Sequence, residues 1–177
     1  IDICKINDNY YAYACAMGTY TDATFKTTPK MKKKYGRMAY FMQGAKQAFK
    51  VDDYMLNLQV GKKQIKQNAI LVMILNTKSV GGFSKFNYKN KLGDGKFDVV
   101  VVKKPEVKTP INIWRLFIRG VNGVRENNNL MVFSTDHLKI GIDKSVDWNL
   151  DGDPYNAKDV EITCLKKRLS LFIPKSK

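Results

Sequence analysis

The stretch "GKKQIKQNAILVMILNT", Gly61 to Thr77, carries the reading of the fold. Around Ile65 the apolar and polar residues alternate, as they do in a strand with one face toward water. From Ala69 to Leu75 the chain reads "AILVMIL", an unbroken apolar run of strand length. A short run of this kind fits a strand buried on both faces. The stretch therefore predicts one strand with a buried second half.

The neighbouring segments extend the same pattern. Upstream, "DYMLNLQV" (Asp53–Val60) alternates, with Met55 set against the polar Asn57 and Gln59 in period two, and "GKK" supplies the turn. Downstream, "KFDVVVVKK" (Lys96–Lys104) resumes a strand, closed off by Pro105 and Pro110. Between these lies "SVGGFSKFNYKNKLGDG" (Ser79–Gly95), a long glycine-punctuated loop of a length that tends to be functional. The opening "YYAYACAMGTYTDATFK" (Tyr10–Lys26) predicts one strand to about Cys15 and a turn at Gly18. The last third, "LMVFSTDHLKIGID", "SVDWNLDGD" and "DVEITCLKKRLSLFIP", predicts about four short strands.

Two segments read as helices. After Pro29, the residues Met38, Phe41, Met42, Ala45 and Phe49 recur at helical spacing up to Lys50, although Gly36 and Gly44 weaken the helix. That apolar face suits a core better than a lipid groove. "INIWRLFIRG" (Ile111–Gly120) reads as a short amphipathic helix ended by its glycine. Mostly strands with frequent turns predict a mainly β fold: a distorted β-sandwich with two helical excursions, in one domain over residues 1–177.

Composition narrows the function. The 31 basic and 16 acidic side chains leave a net charge of +15, which attracts polyanions such as nucleic acid, nucleotide phosphates or an anionic bilayer. The lysines are scattered, and a solvated basic surface explains most of them. No run approaches the roughly 18 to 20 apolar residues of a membrane span. A charged and polar "DICKINDN" follows Ile1, which is not the pattern of a signal peptide. The absence of a starting Met suggests a fragment. Cys4, Cys15 and Cys164 are widely spaced and odd in number, the pattern of buried thiols in a reducing cytosol rather than of a metal knuckle. The single histidine, His137, excludes a histidine pair or a multi-histidine zinc site, and it reads as an ordinary strand or turn residue.

Acidic residues concentrate in two turns, "KLGDGKFD" (Lys91–Asp98) and "NLDGDP" (Asn149–Pro154). Asp-Gly between apolar runs is a hairpin signal, because both residues tolerate positive φ. A hard cation held by a carboxylate and backbone carbonyls, or a general base for a hydroxyl nucleophile, are further uses of such turns. Spacing does not choose among them.

"NTKSVGGF" followed by "LGDGKFDVVVVKK", and "WNLDGDP" followed by "EITCLKKRLSLFIP", resemble the C-terminal domain of bacterial diacylglycerol kinases and related lipid kinases. "GTYTDATFKTTPKMKKKYGRMAYFMQGAKQAF" is similar to that domain's strand, basic loop and helix, so the resemblance runs in order across nearly the whole chain. It implies a transferase of phospholipid metabolism with an N-terminal nucleotide-binding domain, a C-terminal β-sandwich and an active site between them. ATP would donate its γ-phosphoryl group to a lipid hydroxyl with Mg²⁺ present. This chain contains no Gly-Gly-Asp-Gly-Thr, and its "VGGF" (Val80–Phe83) lacks the Lys-Ser/Thr of a P-loop. It resembles only the second half of such an enzyme and is expected to be inactive alone.

The family's roles transfer to matching positions. Asp94 would give a carboxylate, and Lys91 and Lys96 backbone carbonyls, to a structural Mg²⁺. Asp153 stands where the family's proton acceptor is a glutamate, one methylene longer. Asp151 would position Mg²⁺-bound water or brace the turn. "NYKN" (Asn87–Asn90) departs from a Pro-Ala pair common in the family. The resemblance implies a cytoplasmic protein peripheral to the inner face of a bacterial membrane. Lys30, Lys32, Lys33 and Lys34, beside Met31 and Tyr35, are the candidate membrane-facing element. The expected partners are a lipid substrate, the protein's own nucleotide-binding domain and an anionic bilayer rather than nucleic acid, with a homodimer left open. Diacylglycerol, undecaprenol and sphingoid bases all offer the hydroxyl. Two other readings compete: a basic β-rich nucleic-acid-binding module, resting on charge and the aromatics of "NDNYYAYA", and a NAD kinase-related domain, which shares the sandwich architecture.

Overall fold

The computed structural model describes residues 1–18, 52–78, 93–104 and 129–172. Among the described residues there are nine strands: β1 (Ile3–Ile6), β2 (Asn9–Tyr11), β3 (Ala14–Gly18), β4 (Tyr54–Val60), β5 (Lys63–Leu75), β6 (Phe97–Lys103), β7 (Leu130–Thr135), β8 (His137–Leu150) and β9 (Asp153–Leu165). Their ladders are antiparallel and run in the order β2-β1-β9-β8-β3-β5-β6-β7. β4 pairs with both β5 and β8, so β3, β5, β4 and β8 close a ring. The arrangement is sandwich- and barrel-like.

Two long strands make this closure. The first half of β5 pairs with β4 and its second half with β3. β8 likewise pairs with β4 through Lys139–Ile142 and with β3 through Trp148–Leu150. Each long strand also carries a register shift: between Ala69 and Leu71 in β5, and between Gly141 and Val146 in β8. Such bulges bend a strand and increase its twist, which lets one strand serve two layers. The shift in β5 is visible in its side chains. Ile70 and Leu71 are sequence neighbours yet join the same apolar cluster, before alternation resumes with Val72 and Ile74 on the other side.

The main core lies around Trp148, Phe97, Leu56, Leu58, Ile140 and Ile162, all buried. A second cluster on the opposite face of β5 and β6 gathers Ile70, Leu71, Met73, Leu75, Val100 and Val102. Residues 69–75 and 99–102 are apolar without a break because both of their faces are buried. β3 reaches β5 closely enough that a Cβ on Gly18 would lie 2.5 Å from the carbonyl oxygen of Ile70, and Gly18 also has a φ of +103°. Only glycine fits there.

The mainly β expectation stands, and the two helical excursions are a correction. The described residues contain no helix, and their main-chain hydrogen bonds go to strand ladders and turns. The segments read as helices, Pro29–Lys50 and Ile111–Gly120, lie wholly outside the described residues, whose architecture rests on strands alone. Three smaller expectations also change. Instead of one strand over residues 10–15 there are two short ones, β2 and β3, with a break at Ala12 and Tyr13. Instead of about four short strands at the end there are three, because a bulge rather than a turn absorbs Asp143 to Ser145 within β8. Met55 shares the exposed face of β4 with Asn57 and Gln59, while Leu56 and Leu58 point inward.

Candidate functional site: two acidic turns tied to one polar network

The turn at residues 150–153 joins β8 to β9 as a tight hairpin, with Leu150 paired to Asp153. The two residues between them, Asp151 and Gly152, have φ of +52° and +114°. Positive φ at both central positions is the condition of a type I′ turn, whose twist matches the flanking strands. The side chain of Asn149 accepts from the N–H of Gly152 at 2.8 Å and stiffens the turn further.

Asp151 does more than turn the chain. Its carboxylate accepts the N–H of Ala12 at 2.7 Å, of Tyr13 at 3.0 Å and of Ala14 at 2.7 Å. Its own N–H donates to the carbonyl of Ala14 at 2.9 Å. Three main-chain donors converging on one ionised carboxylate are strong hydrogen bonds. They also explain the break between β2 and β3: Ala12 and Tyr13 leave the ladder and, with Ala14 at the start of β3, point their N–H groups at Asp151. The negative charge of Asp151 and, above all, burial push up the pKa of the Cys15 thiol beneath it. Asp153, two residues on, is exposed at the start of β9.

The second turn, Gly93–Lys96, leads into β6. One oxygen of Asp94 accepts the N–H of Lys96 at 2.9 Å, closing the turn on itself. The N–H of Gly95 donates to Asp2 Oδ2 at 2.7 Å, and the N–H of Lys167 donates to Asp2 Oδ1 at 2.8 Å. Asp2 is buried, with 1% of its surface exposed. A buried carboxylate is tolerated because these donors replace water. The Cys164 thiol also approaches Asp2 Oδ2, at 3.8 Å. Its pKa is raised by its hydrogen bond with Cys4, then by burial and by the charges of Cys4, Asp2 and Asp94.

Asn76 links the two turns. It is buried at the end of the "AILVMILN" run, and its side-chain amide donates to the carbonyl of Asp2 at 3.0 Å and of Ala12 at 2.9 Å. Its main-chain N–H donates to Tyr13 at 3.0 Å. One continuous network therefore runs from the 93–96 turn through Asp2, Asn76 and residues 12–14 to Asp151. Of the residues singled out in the sequence, it includes Asp151 and adjoins Asp94, Lys96 and Asp153. Lys91 lies outside the described residues, as do Val80–Phe83, Asn87–Asn90 and the basic cluster from Lys30 to Tyr35.

Asp2 and Asn76 are the members that sequence reasoning missed. A signal exists for each. Asp2 sits between Ile1 and Ile3 at the inward phase of an alternating strand, and Asn76 ends an apolar run without leaving the core. A polar residue in a buried phase implies a hydrogen-bond partner.

Among the described residues, no group of three or more His, Cys, Asp or Glu side chains could hold a metal. The donors that the 93–96 turn offers are the Asp94 carboxylate and main-chain carbonyls. This all-oxygen set fits a hard cation that keeps most of its water, and does not fit zinc or copper. The larger groove, about 490 Å³, is elsewhere: Asn57, Gln64, Lys66, Lys139 and Asp159 are among its walls, and none of the acidic-turn residues is. His137 is also apart from the network, at the start of β8, where its Nε2 meets Glu161 Oε1 at 2.7 Å.

Comparison with known proteins agrees with this architecture. The diacylglycerol kinase of Bacillus subtilis is 24% identical over the whole chain, and that of Staphylococcus carnosus is 24% identical over 99% of it. The chain spans 58% and 56% of those proteins, respectively, so it corresponds to little more than half of each. A crystal structure from Bacillus anthracis str. Sterne shares the fold with a TM-score of 0.73 at 20% identity, over 94% of this chain and 53% of that one. A second, of a diacylglycerol kinase from the same strain, gives 0.62 at 14% identity, over 94% and 50%. Residues 16–173 match the family described as the YegS C-terminal NAD kinase beta sandwich-like domain, and the chain belongs to that family.

Proposed function

We propose that this chain is the substrate-side domain of an ATP-dependent lipid kinase, acting on the hydroxyl of diacylglycerol or a similar membrane alcohol. The observation that carries the reading is the network, buried at Asp2 and Asn76, that ties both acidic turns together. Phosphoryl transfer depends on positioning and on neutralising charge more than on covalent chemistry by the protein. Two acidic turns in fixed relation suit that demand. Family membership and likeness to proteins named diacylglycerol kinase support the choice of substrate class.

In this reading Asp153 is the general base. It is exposed, and its neighbour Asp151 accepts three N–H groups from residues 12–14, which braces the turn. Asp153 would accept the proton of the lipid hydroxyl as its oxygen bonds to the γ-phosphorus and the bond from that phosphorus to the ADP oxygen breaks, ADP leaving with the electron pair. A base acts only within hydrogen-bond reach, and the shorter aspartate must bring the lipid closer to β9 than a glutamate would. Asp151 braces the turn. Asp94, with the carbonyls of Lys96 and Lys91, would hold Mg²⁺. When bound, that ion supplies positive charge and fixes the loop. ATP is held by a nucleotide-binding domain distinct from these residues, and the charge of +15 draws the protein to the anionic inner face of the membrane.

Replacement of Asp153 by Asn in a protein that joins this chain to its nucleotide-binding domain tests the assignment. Turnover of diacylglycerol is expected to fall by at least about 100-fold, the usual worth of a general base, with thermal stability unchanged. Near-normal turnover by Asp153→Asn would refute the role.

A further inference from the structure

Cys4 and Cys164 face each other across β1 and β9. The N–H of Cys164 donates to Asp136 on the other side, at 2.8 Å, so its main-chain hydrogen-bonding groups point away from β1. Cys4 and Cys164 thus form the non-hydrogen-bonded kind of antiparallel pair. Such pairs bring Cα atoms to about 4.5 Å and side chains closest together, within the roughly 4.4–6.8 Å that a disulfide spans. Opposed residues of such a pair place their side chains on the same face of the sheet. Cys4 is fully buried, whereas Cys164 is partly exposed. Neither takes part in the phosphoryl transfer described above.

We propose that Cys4 and Cys164 are a reversible two-electron redox site whose oxidant is a hydroperoxide. The Cys164 sulfur, the less buried of the two, gives up its proton and attacks the terminal peroxide oxygen, a step that its raised pKa slows at neutral pH and that alkali speeds. The O–O bond breaks, the leaving oxygen takes up a proton, and Cys164 becomes a sulfenic acid. The Cys4 sulfur then displaces hydroxide from it. An S–S bond forms, the S–O bond breaks, and the hydroxide leaves as water with the proton of Cys4. The two sulfurs lose two electrons and the peroxide gains them. A dithiol reduces the bridge to the two thiols by exchange and is itself oxidised to a disulfide. The bridge would staple β1 to β9 directly beside Asp2. It would also remove the S–H that now approaches Asp2 Oδ2 at 3.8 Å, so the oxidation state is felt by the carboxylate that holds Gly95 and Lys167. The proposal does not depend on the lipid-kinase reading.

The test is hydrogen peroxide treatment of the purified chain at mildly alkaline pH, followed by denaturation, alkylation and mass spectrometry. The expected product is about 2 Da lighter, the loss of two hydrogens. Only Cys15 should be alkylated, a cross-linked peptide pair should contain Cys4 and Cys164, and dithiothreitol should restore both thiols. Cys164→Ser, folded by circular dichroism, should show no such mass loss. Three alkylated thiols after treatment of the wild type would overturn the proposal. So would a bridge to Cys15, a disulfide between two copies, or a sulfinic acid at Cys164.

Discussion

At the scale of single residues, Asp151 and Asp153 stand in different surroundings although they are two positions apart. Asp151 spends its carboxylate on three main-chain donors. Asp151→Ala should therefore unfold at lower denaturant, by about 2–4 kcal/mol, since hydrogen bonds to a charged group are worth about 1.5–3 kcal/mol each and part is regained from water. Equilibrium urea unfolding measures this, and a loss under about 0.5 kcal/mol, the level of an ordinary surface change, would contradict the bracing role. Glu161 gives a pH signature. Hydrogen bonds from His137 and Lys139 hold its carboxyl below its usual range. A group with a lowered folded-state pKa adds stability above its unfolded pKa and loses it as pH falls through the folded value. Wild type should thus lose stability on acidification through the carboxylate range more steeply than Glu161→Gln, as read by unfolding midpoints at successive pH values. Because Glu161 is exposed the difference is small, and parallel curves would contradict it.

At the scale of elements, the legible parts were those dictated locally. The alternation of residues 54–60 and the apolar runs at 69–75 and 99–102 report burial directly, and β4, β5 and β6 stand where those patterns put them. The break between β2 and β3 was not legible, because its cause is a carboxylate some 138 residues away in sequence. The same distance hid the site's support: Asp2 and Asn76 matter through partners that only the folded sheet brings near. The "NLDGDP" hairpin was visible as a turn, whereas the engagement of Asp151 with the opposite chain was not. Gly18 offers a test at this scale. Gly18→Ala adds a Cβ where the carbonyl of Ile70 lies 2.5 Å away, while Gly61→Ala adds one into open space. Both carry the strain of positive φ, about 1 kcal/mol, so only the first should cost several kcal/mol and push β3 off β5. Equal losses would mean that the close approach of these strands is not a real constraint.

At the scale of the whole molecule, the described residues form a barrel-like antiparallel sheet, and the chain's composition is strongly basic. No described helix is long and apolar enough to cross a membrane. In the proposed lipid-kinase role the charge of +15 would hold the protein on an anionic bilayer, so sedimentation with anionic vesicles should fall steeply between low and physiological salt, where the screening length shortens to about 8 Å. Salt-independent binding, or equal binding to neutral vesicles, would contradict that mode of attachment.

The central claim concerns what the chain contributes to a larger enzyme. Its most direct test is transfer of the labelled γ-phosphoryl group of ATP to diacylglycerol in anionic vesicles, with NAD as a competing acceptor. The 177-residue chain alone should transfer none. The chain joined to its nucleotide-binding domain should label diacylglycerol and leave NAD unlabelled. Labelling of NAD, or of diacylglycerol by the chain alone, would contradict the account.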